Sequence, residues 1–568
     1  MYVLGLNHGE INSSAALYHK GQIIAAAPEE RFNRNKKSKA FPQQSVQFCL
    51  DFAGIQLNNI DYIAQAWNPG SGWIKYNGLL SSNRIKREDY FYTVPDNLLN
   101  LSNRKDQDWV LMSFENDDLP PIYYVKHHRT HSANAYYLSP FGESAILTCD
   151  LRGEFECKTM GVGKGNKIQI IEKMNIPHSV GSIYAAFTEL LGYQIDNDEW
   201  KVMALSAFDV DCSEHLDKIR STVRLLDKGS FELDESYYKG AILDQPNMYT
   251  NKLVKLLGGR VGIKGAEPDE WYFSVAKAMQ IVFEEIVIHM LCNLYERTKL
   301  KNIVLGGGSF MNSVFNGKVI ENTPFEKVYI SHSPSDVGNS LGAALYVAHQ
   351  VKNESRNISF NTSYLGPSYS DEEIRKALVR RKIKFSQITN VPETVAEILS
   401  CGEIVAYFNG RMEFGERALG NRSIFADPRP EDMKDKINSI IKYRESYRPF
   451  APVVTQDKVH IYFDVHAGFT SSHMEQVVPI KKDFHKVLPA ITHVNGSGRV
   501  QTVNKEQNPI IYKIIEKFES LTKFPILLNT SFNIAGEPIV LSPDDAITTF
   551  YNSGLEYLVM GSFLIKKK

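Results

Sequence analysis

The first residues alternate between short apolar runs and polar turns. Tyr2–Leu6, Ser14–Tyr18 and Gln22–Ala27 are apolar; Asn7–Asn12 and His19–Gly21 separate them. This spacing predicts three strands in an antiparallel meander. Phe41–Phe52 has helical spacing, with Val46, Cys49 and Leu50 on one face. Ile60–Ala64 and Ile122–Val125 read as strands, and Trp67–Pro120 between them is polar, aromatic and irregular, an insertion lining a cleft. Ser144–Asp150 is an apolar strand ending in an acid. Gly181–Leu191 and Trp271–Arg297 are predicted helices. Strands follow at Ile303–Leu305 and Val328–Ile330, then an Ala-rich helix to about His349. Strands and helices alternate, which favours an α/β class. No repeat occurs at solenoid periods.

Lys352–Ser370 is polar and contains Gly and Pro, so it marks a boundary between regions 1–355 and 362–568. Beyond it the pattern predicts helices at Asp371–Arg381 and Glu431–Lys442 and strands at Ile404–Phe408 and Phe524–Thr530. A helix opens at Ser542-Pro543, with a serine cap and proline in its first turn, and Leu558–Ile565 is expected as a closing strand.

Composition narrows the function classes. The 568 residues are 43% apolar and 11% aromatic, enough for large cores in two or more domains. Net charge is −1, so no global field attracts nucleic acid or an anionic membrane. No apolar run is long enough to span a bilayer, and MYVLGLNHGE reads as strand and turn rather than signal peptide. Six scattered cysteines without a C-x-x-C pair fit a reducing cytoplasm.

Four constellations carry chemistry. His127 and His131 are four residues apart at the start of a predicted helix and share a face. Asp150 ends one strand and Asp336 lies in a turn after another. Two imidazoles and two carboxylates can hold Fe, Mn or Zn with positions open to substrate. The alternative is a set of ordinary hydrogen-bonding residues, with His128 as an outward member. Second, Gly306-Gly307-Gly308-Ser309, with Asn312, runs from a strand into a helix, where backbone N–H groups can close on a phosphate or adenosine. A tight turn alone also accounts for it. The Asn7-His8-Gly9 turn and Ser13–Ala16 offer another small-residue loop. Third, Asp150–Glu156, with Glu199 and Lys201, supplies carboxylates able to activate a hydroxyl or bind a metal, or else forms a solvated loop.

The densest signal is Gly410–Pro452. It holds Arg411, Arg417, Arg422, Arg429, Arg444, Arg448 and Lys442, interleaved with glycines, aromatics and prolines. Arginine forks bind oxyanions through paired hydrogen bonds, so this stretch points to an anionic ligand. Arg499 in GSGRVQTV and the strand end Asn529–Asn533 are its expected partners.

Met1–Ala27, His127–Asp150, Gly306–Asn312, Asp336–Ala344, GRMEFGERALGNRSIFADPR, KYRESYRPFAP, GSGRVQTV and LLNTSFN together resemble the NodU/CmcH-type O-carbamoyltransferases. Carbamoyltransferases acting on nodulation factors, cephamycin, nebramycin and ansamycins belong to that family. The resemblance implies an N-terminal ASKHA (actin-like, Kae/TsaD-like) domain and a C-terminal YrdC-like α/β domain. It implies that the C-terminal domain makes carbamoyl adenylate from carbamoyl phosphate and ATP. The N-terminal domain then transfers the carbamoyl group to a small-molecule hydroxyl. Carried over by motif, Arg417, Lys442, Arg448, Arg499, Asn529 and Ser531 hold carbamoyl phosphate and then the adenylate. His127, His131, Asp150 and Asp336 hold a divalent metal, Fe2+ by analogy, with Mg2+ accompanying the nucleotide as the alternative. Gly307, Gly308 and Asn312 lie along the nucleotide. His8 and Glu29-Glu30-Arg31 face the acceptor or the nucleotide, and His8, His131 and Asp150 are all candidates for the base. The resemblance further implies a homodimer, with neither nucleic acid nor membrane as partner. Leu151 and Trp200 depart from the family pattern beside the expected acceptor site. A small-molecule kinase of the actin-like class and a tRNA threonylcarbamoyl-transfer protein are the competing expectations.

Overall fold

The computed structural model describes residues 1–9, 12–67, 108–113, 119–239, 248–357, 362–443 and 450–567. They form two compact units, Met1–Ala26 with Lys39–Asn361, and Ala27–Ser38 with Thr362–Lys568. The sequence predicts a single cut in the chain. The structure instead groups the early segment Ala27–Ser38 with residues hundreds of positions later.

The first unit contains two sheets of matching topology. In the first, β1 (Tyr2–Asn7), β2 (Ser14–His19) and β3 (Gln22–Pro28) form the expected meander, and β1 then pairs in parallel with β4 (Tyr62–Gln65). β4 pairs in parallel with β6 (Ile122–Val125), and β5 (Trp109–Met112) adds an antiparallel edge. Thus the stretch expected to be irregular contains a strand; most of it lies outside the described residues. In the second sheet, β7 (Glu143–Cys149), β8 (Glu156–Lys164) and β9 (Lys167–Asn175) form another meander. The Val223–Leu226 and Ser230–Leu233 hairpin, β10–β11, stands apart. β7 pairs in parallel with β12 (Asn302–Gly306), which pairs in parallel with β13 (Lys327–Ile330). The order 3-2-1-4-6 is repeated as 9-8-7-12-13. This duplicated meander-plus-parallel plan is the ASKHA arrangement.

The helices that follow the last parallel strands are exchanged. His127–Tyr137 leaves the first sheet and packs on β7 and β12 of the second. Asn339–Leu345 leaves the second sheet and packs on β1 and β2 of the first. The two helices also pack on each other. Gly342 makes this contact possible, because a Cβ there would stand 2.0 Å from the Thr130 carbonyl oxygen.

The second unit is built on nine strands: β14 (Ser386–Gln387), β15 (Val405–Phe408), β16 (Arg422–Ala426), β17 (Ala451–Thr455), β18 (Gln476–Pro479), β19 (Ser497–Val503), β20 (Ile526–Ser531), β21 (Tyr557–Met560) and β22 (Phe563–Lys566). Their order is 14-22-21-15-16-20-17-19-18, a mixed sheet. Side chains alternate between its faces. Val405, Tyr407 and Phe425 join a core with Leu399 and Phe518, whereas Ala406, Phe408 and Ile424 join one with Leu378, Ile437 and Phe550. The expected closing strand is two strands in an antiparallel hairpin, turning at Gly561 with φ 53°.

Candidate functional site

In the first unit, the exchanged helix delivers the histidines. Every residue of His127–Tyr137 is buried, and His127 and His131 sit one turn apart. Asp150 immediately follows β7, and Asp336 opens the turn before Asn339–Leu345. One ligand atom from each of the four lies within 4.8 Å of the others. His131 Nε2 is 2.9 Å from Asp150 Oδ2 and 3.4 Å from Asp336 Oδ1. His127 Nε2 is 3.7 and 3.3 Å from the same oxygens. The two Nε2 atoms are 3.0 Å apart.

The electrostatics show what the cluster requires. Burial pushes His127 down, but Asp336 and Asp150 outweigh it and raise it to about 10. Burial pushes Asp150 up, but hydrogen bonds from His127 and His131 hold it well below the usual carboxylate range. Asp336 is also lowered, because attraction to His127 offsets burial and repulsion from Asp150. Two half-buried carboxylates thus draw positive charge onto a buried imidazole. Donor atoms that converge in this way fit a divalent cation.

The surroundings fix these groups in place. Both Glu154 carboxylate oxygens accept from the His127 N–H, at 3.1 and 3.2 Å. Glu156 accepts from Arg129 at 3.0 Å. The acids expected to form a catalytic or solvated loop therefore anchor the histidine helix. His128 is not an outward member: it is buried, and its Nδ1 lies 2.8 Å from Thr148 Oγ1.

The glycine turn borders the same cluster. The Gly308 N–H donates to Asp150 Oδ2 at 3.1 Å. Gly307 has φ 100°, and a Cβ there would meet the Cys149 carbonyl oxygen at 2.1 Å. Asn312 is occupied internally. Its amide pairs with Gln280, and its Oδ1 caps the Phe315 N–H. His8 packs its ring edge-on against Phe41, with centroids 5.3 Å apart.

In the second unit, the arginine-rich stretch separates by role. Arg422 is fully buried and donates to the carbonyls of Asn409, Gly410, Asn421, Pro367 and Leu541. It also stacks on Phe408 at 3.8 Å. Burial lowers it to about 10. Arg411 binds the carbonyls of Leu365 and Gly366, and Arg429 pairs with Asp427. These three fasten backbone or a neighbouring acid. Arg417 differs: among the described residues it makes no hydrogen bond or ion pair, and burial lowers its pKa against the attraction of Glu416. Arg444 and Arg448 lie outside the described residues.

Lys442 is buried at the end of the Asn438–Lys442 turn. Its Nζ donates to the Ser531 carbonyl at 2.5 Å and to the Asn533 side-chain oxygen at 3.0 Å, and lies 3.3 Å from Ser531 Oγ. Asn529 Nδ2 donates to Gln501 at 2.7 Å and to the Ala418 carbonyl at 3.3 Å; its buried Oδ1 has no hydrogen-bond partner among the described residues. Gln501 donates to the Leu419 carbonyl. Asn529 and Gln501 therefore tie β20 and β19 to the residues next to Arg417. Arg499, on β19, lies close enough to His493 to help burial lower that imidazole to about 3. Glu413, which sequence reasoning missed, organises the turn: its Oε1 accepts from the N–H groups of Leu419, Asn421 and Arg422. Three residues before Glu416, it reads in the sequence as one more surface acid.

Two family models match the chain. Carbamoyltransferase N-terminus covers residues 3–345, and Carbamoyltransferase C-terminus covers residues 396–567. Nodulation protein NolNO of Sinorhizobium fredii is 34% identical over 98% of this chain and 79% of its own length. An uncharacterized protein of Synechocystis sp. is 34% identical over 100% of this chain and 97% of its own. Among solved structures, HypF of T. kodakarensis aligns with 62% of this chain and 48% of its own at 11% identity, with a TM-score of 0.31. No described helix is long and apolar enough to cross a membrane.

Proposed function

The chain belongs to the carbamoyltransferase family, and on that premise we propose that it is an ATP-dependent O-carbamoyltransferase with two reaction sites, one in each unit. The observation that carries the reading is the convergence of His127, His131, Asp150 and Asp336 beside the Gly307–Gly308 turn, in a chain whose second unit also buries Lys442 against the end of β20.

In the second unit, Arg417, Arg499, Lys442, Asn529, Ser531 and Arg448 hold carbamoyl phosphate. Water releases phosphate from it and leaves carbamate. A carbamate oxygen then bonds to the α-phosphorus of ATP while the bond to pyrophosphate breaks, giving carbamoyl adenylate. The cations stabilise the charge that develops on the phosphate oxygens. Keeping so labile an acyl donor inside the protein limits its hydrolysis.

In the first unit, a hydroxyl of a small-molecule acceptor attacks the carbamoyl carbon, the bond to the adenylate oxygen breaks, and AMP leaves. The acceptor proton passes to one of His8, His131 or Asp150. Gly307 and Gly308 allow close approach of the nucleotide to the backbone. A divalent cation held by the four clustered residues would supply positive charge to phosphate oxygens; Fe2+, Mn2+ and Zn2+ suit this donor set.

Product analysis tests the reading. Incubation with carbamoyl phosphate, ATP and a panel of hydroxylated acceptors is expected to yield AMP, pyrophosphate and a carbamate ester. ADP with a phosphorylated acceptor would instead establish kinase chemistry.

A further inference from the structure

Arg31 is 2% exposed, and its segment, Ala27–Ser38, belongs to the second unit. The family resemblance has the Glu29-Glu30-Arg31 run facing the acceptor or the nucleotide; the structure seats Arg31 on the Glu413–Arg417 turn. Its Nη2 donates to the Gly415 carbonyl at 2.8 Å. Its Nε lies 3.5 Å from Glu30 Oε1 without a hydrogen bond, and its Nη1 has no hydrogen-bond partner among the described residues. Glu413 and Glu416 both attract it, so it stands close to the acid that also faces Arg417.

Arg422 provides the contrast. Equally buried and near Arg31, it spends its donors on five carbonyls. A buried guanidinium with unused N–H groups costs free energy that a purely structural arginine avoids. Glu413 cannot satisfy Arg31 fully, because one of its oxygens already takes three backbone N–H groups. Two under-used guanidiniums, Arg31 and Arg417, thus flank Gly415 and Glu416 in the unit that holds Lys442.

We infer that Arg31 is a phosphate-binding residue of the second unit's site, its unused N–H edge taking an oxygen of carbamoyl phosphate or of the ATP triphosphate together with Arg417. The inference rests on the two-site reading above and adds a residue from the opposite end of the sequence to it. The fork would gain charge-assisted bonds with the ligand that it lacks within the protein.

The test uses full-length Arg31→Lys and Arg31→Gln. ATP–pyrophosphate exchange is measured while carbamoyl phosphate and ATP are varied separately, and pyrophosphate binding is measured by calorimetry. The expected result is a KM raised about tenfold or more for one phosphate substrate in Arg31→Gln. Arg31→Lys should recover part of that loss and keep a near-native melting temperature. Whichever KM moves identifies the phosphate. Unchanged KM values in Arg31→Gln, with unchanged pyrophosphate affinity, would overturn the assignment. If the unaltered protein shows no carbamoyl phosphate-dependent exchange, the two-site reading fails. The pyrophosphate titration then decides Arg31 alone: weaker binding in the variants supports the residue, and equal binding overturns it.

Discussion

The two units present charge in opposite ways. The first holds a histidine pair and two aspartates from three separate stretches of the sequence that converge within 4.8 Å. The second holds a dense run of arginines that disperse on folding. Arg411, Arg422 and Arg429 turn to carbonyls and an acid, and only Arg417 of the described four is left without a partner. Charge density along a chain therefore says little about a site. What marks one is a buried polar group that the protein itself does not satisfy.

The strongest test of this contrast is separability. His131→Ala should lower carbamoyl transfer about a hundredfold or more, while ATP–pyrophosphate exchange in the other unit stays within about twofold. Simultaneous loss of both in a folded variant would refute two independent sites.

Next is Arg422→Met, which leaves five carbonyls without their donor. It should destabilise the second unit by about 3–5 kcal/mol, read by denaturant unfolding. Arg417→Met should leave stability nearly unchanged and impair exchange. If both variants behave alike, the division of the arginines into structural and ligand-binding groups is wrong.

A smaller effect sharpens the first unit. Gly342→Ala pushes a Cβ against the Thr130 carbonyl and should cost about 2–3 kcal/mol, with weaker metal binding because the histidine helix shifts. Unchanged melting would mean the two helices do not constrain each other.

The last test is pH. His127 is raised from 6.5 to about 10, so in the metal-free protein its contribution to stability is fully present below about pH 6.5. That contribution is lost as pH rises through about 10. Asp150 is depressed, so its contribution holds above its ordinary value and is lost as pH falls. A cation must displace the His127 proton. Affinity for Zn2+, measured against a competing chelator, should therefore rise about tenfold per pH unit between 7 and 9. A flat profile would show that the imidazole binds the cation without losing a proton.

The first meander, the strand before Asp150 and the long Glu270–Thr298 helix were legible because their apolar spacing is regular. β8 and β9 were not. Lys158, on β8, is buried and pairs with Glu172 on β9 at 2.7 Å, so these strands carry charge where the pattern demands apolar residues. Missing them hid the duplication of the two sheets, which resides in backbone topology rather than in repeated residues. The four clustered residues were legible as residue types; their convergence depends on helices exchanged between sheets, which spacing does not encode. The arginine stretch was legible as a dense run of cations, but the carbonyl-holding roles of Arg411 and Arg422 were not, because a guanidinium that holds a carbonyl and one that awaits a ligand look the same in a sequence.

The grouping of Ala27–Ser38 with the second unit also has a consequence for synthesis. Arg34 donates to the Pro538 and Ile539 carbonyls, the latter 505 positions further along the chain. On the ribosome the segment emerges long before the carbonyls that Arg34 holds. The second unit therefore cannot complete its hydrogen bonding until Pro538 and Ile539 have been synthesised, and Arg34 must wait for them while the intervening residues are made. The same geometry means that a fragment starting at Thr362 lacks part of its own fold. Adding Ala27–Ser38 in trans as a peptide should raise its melting temperature.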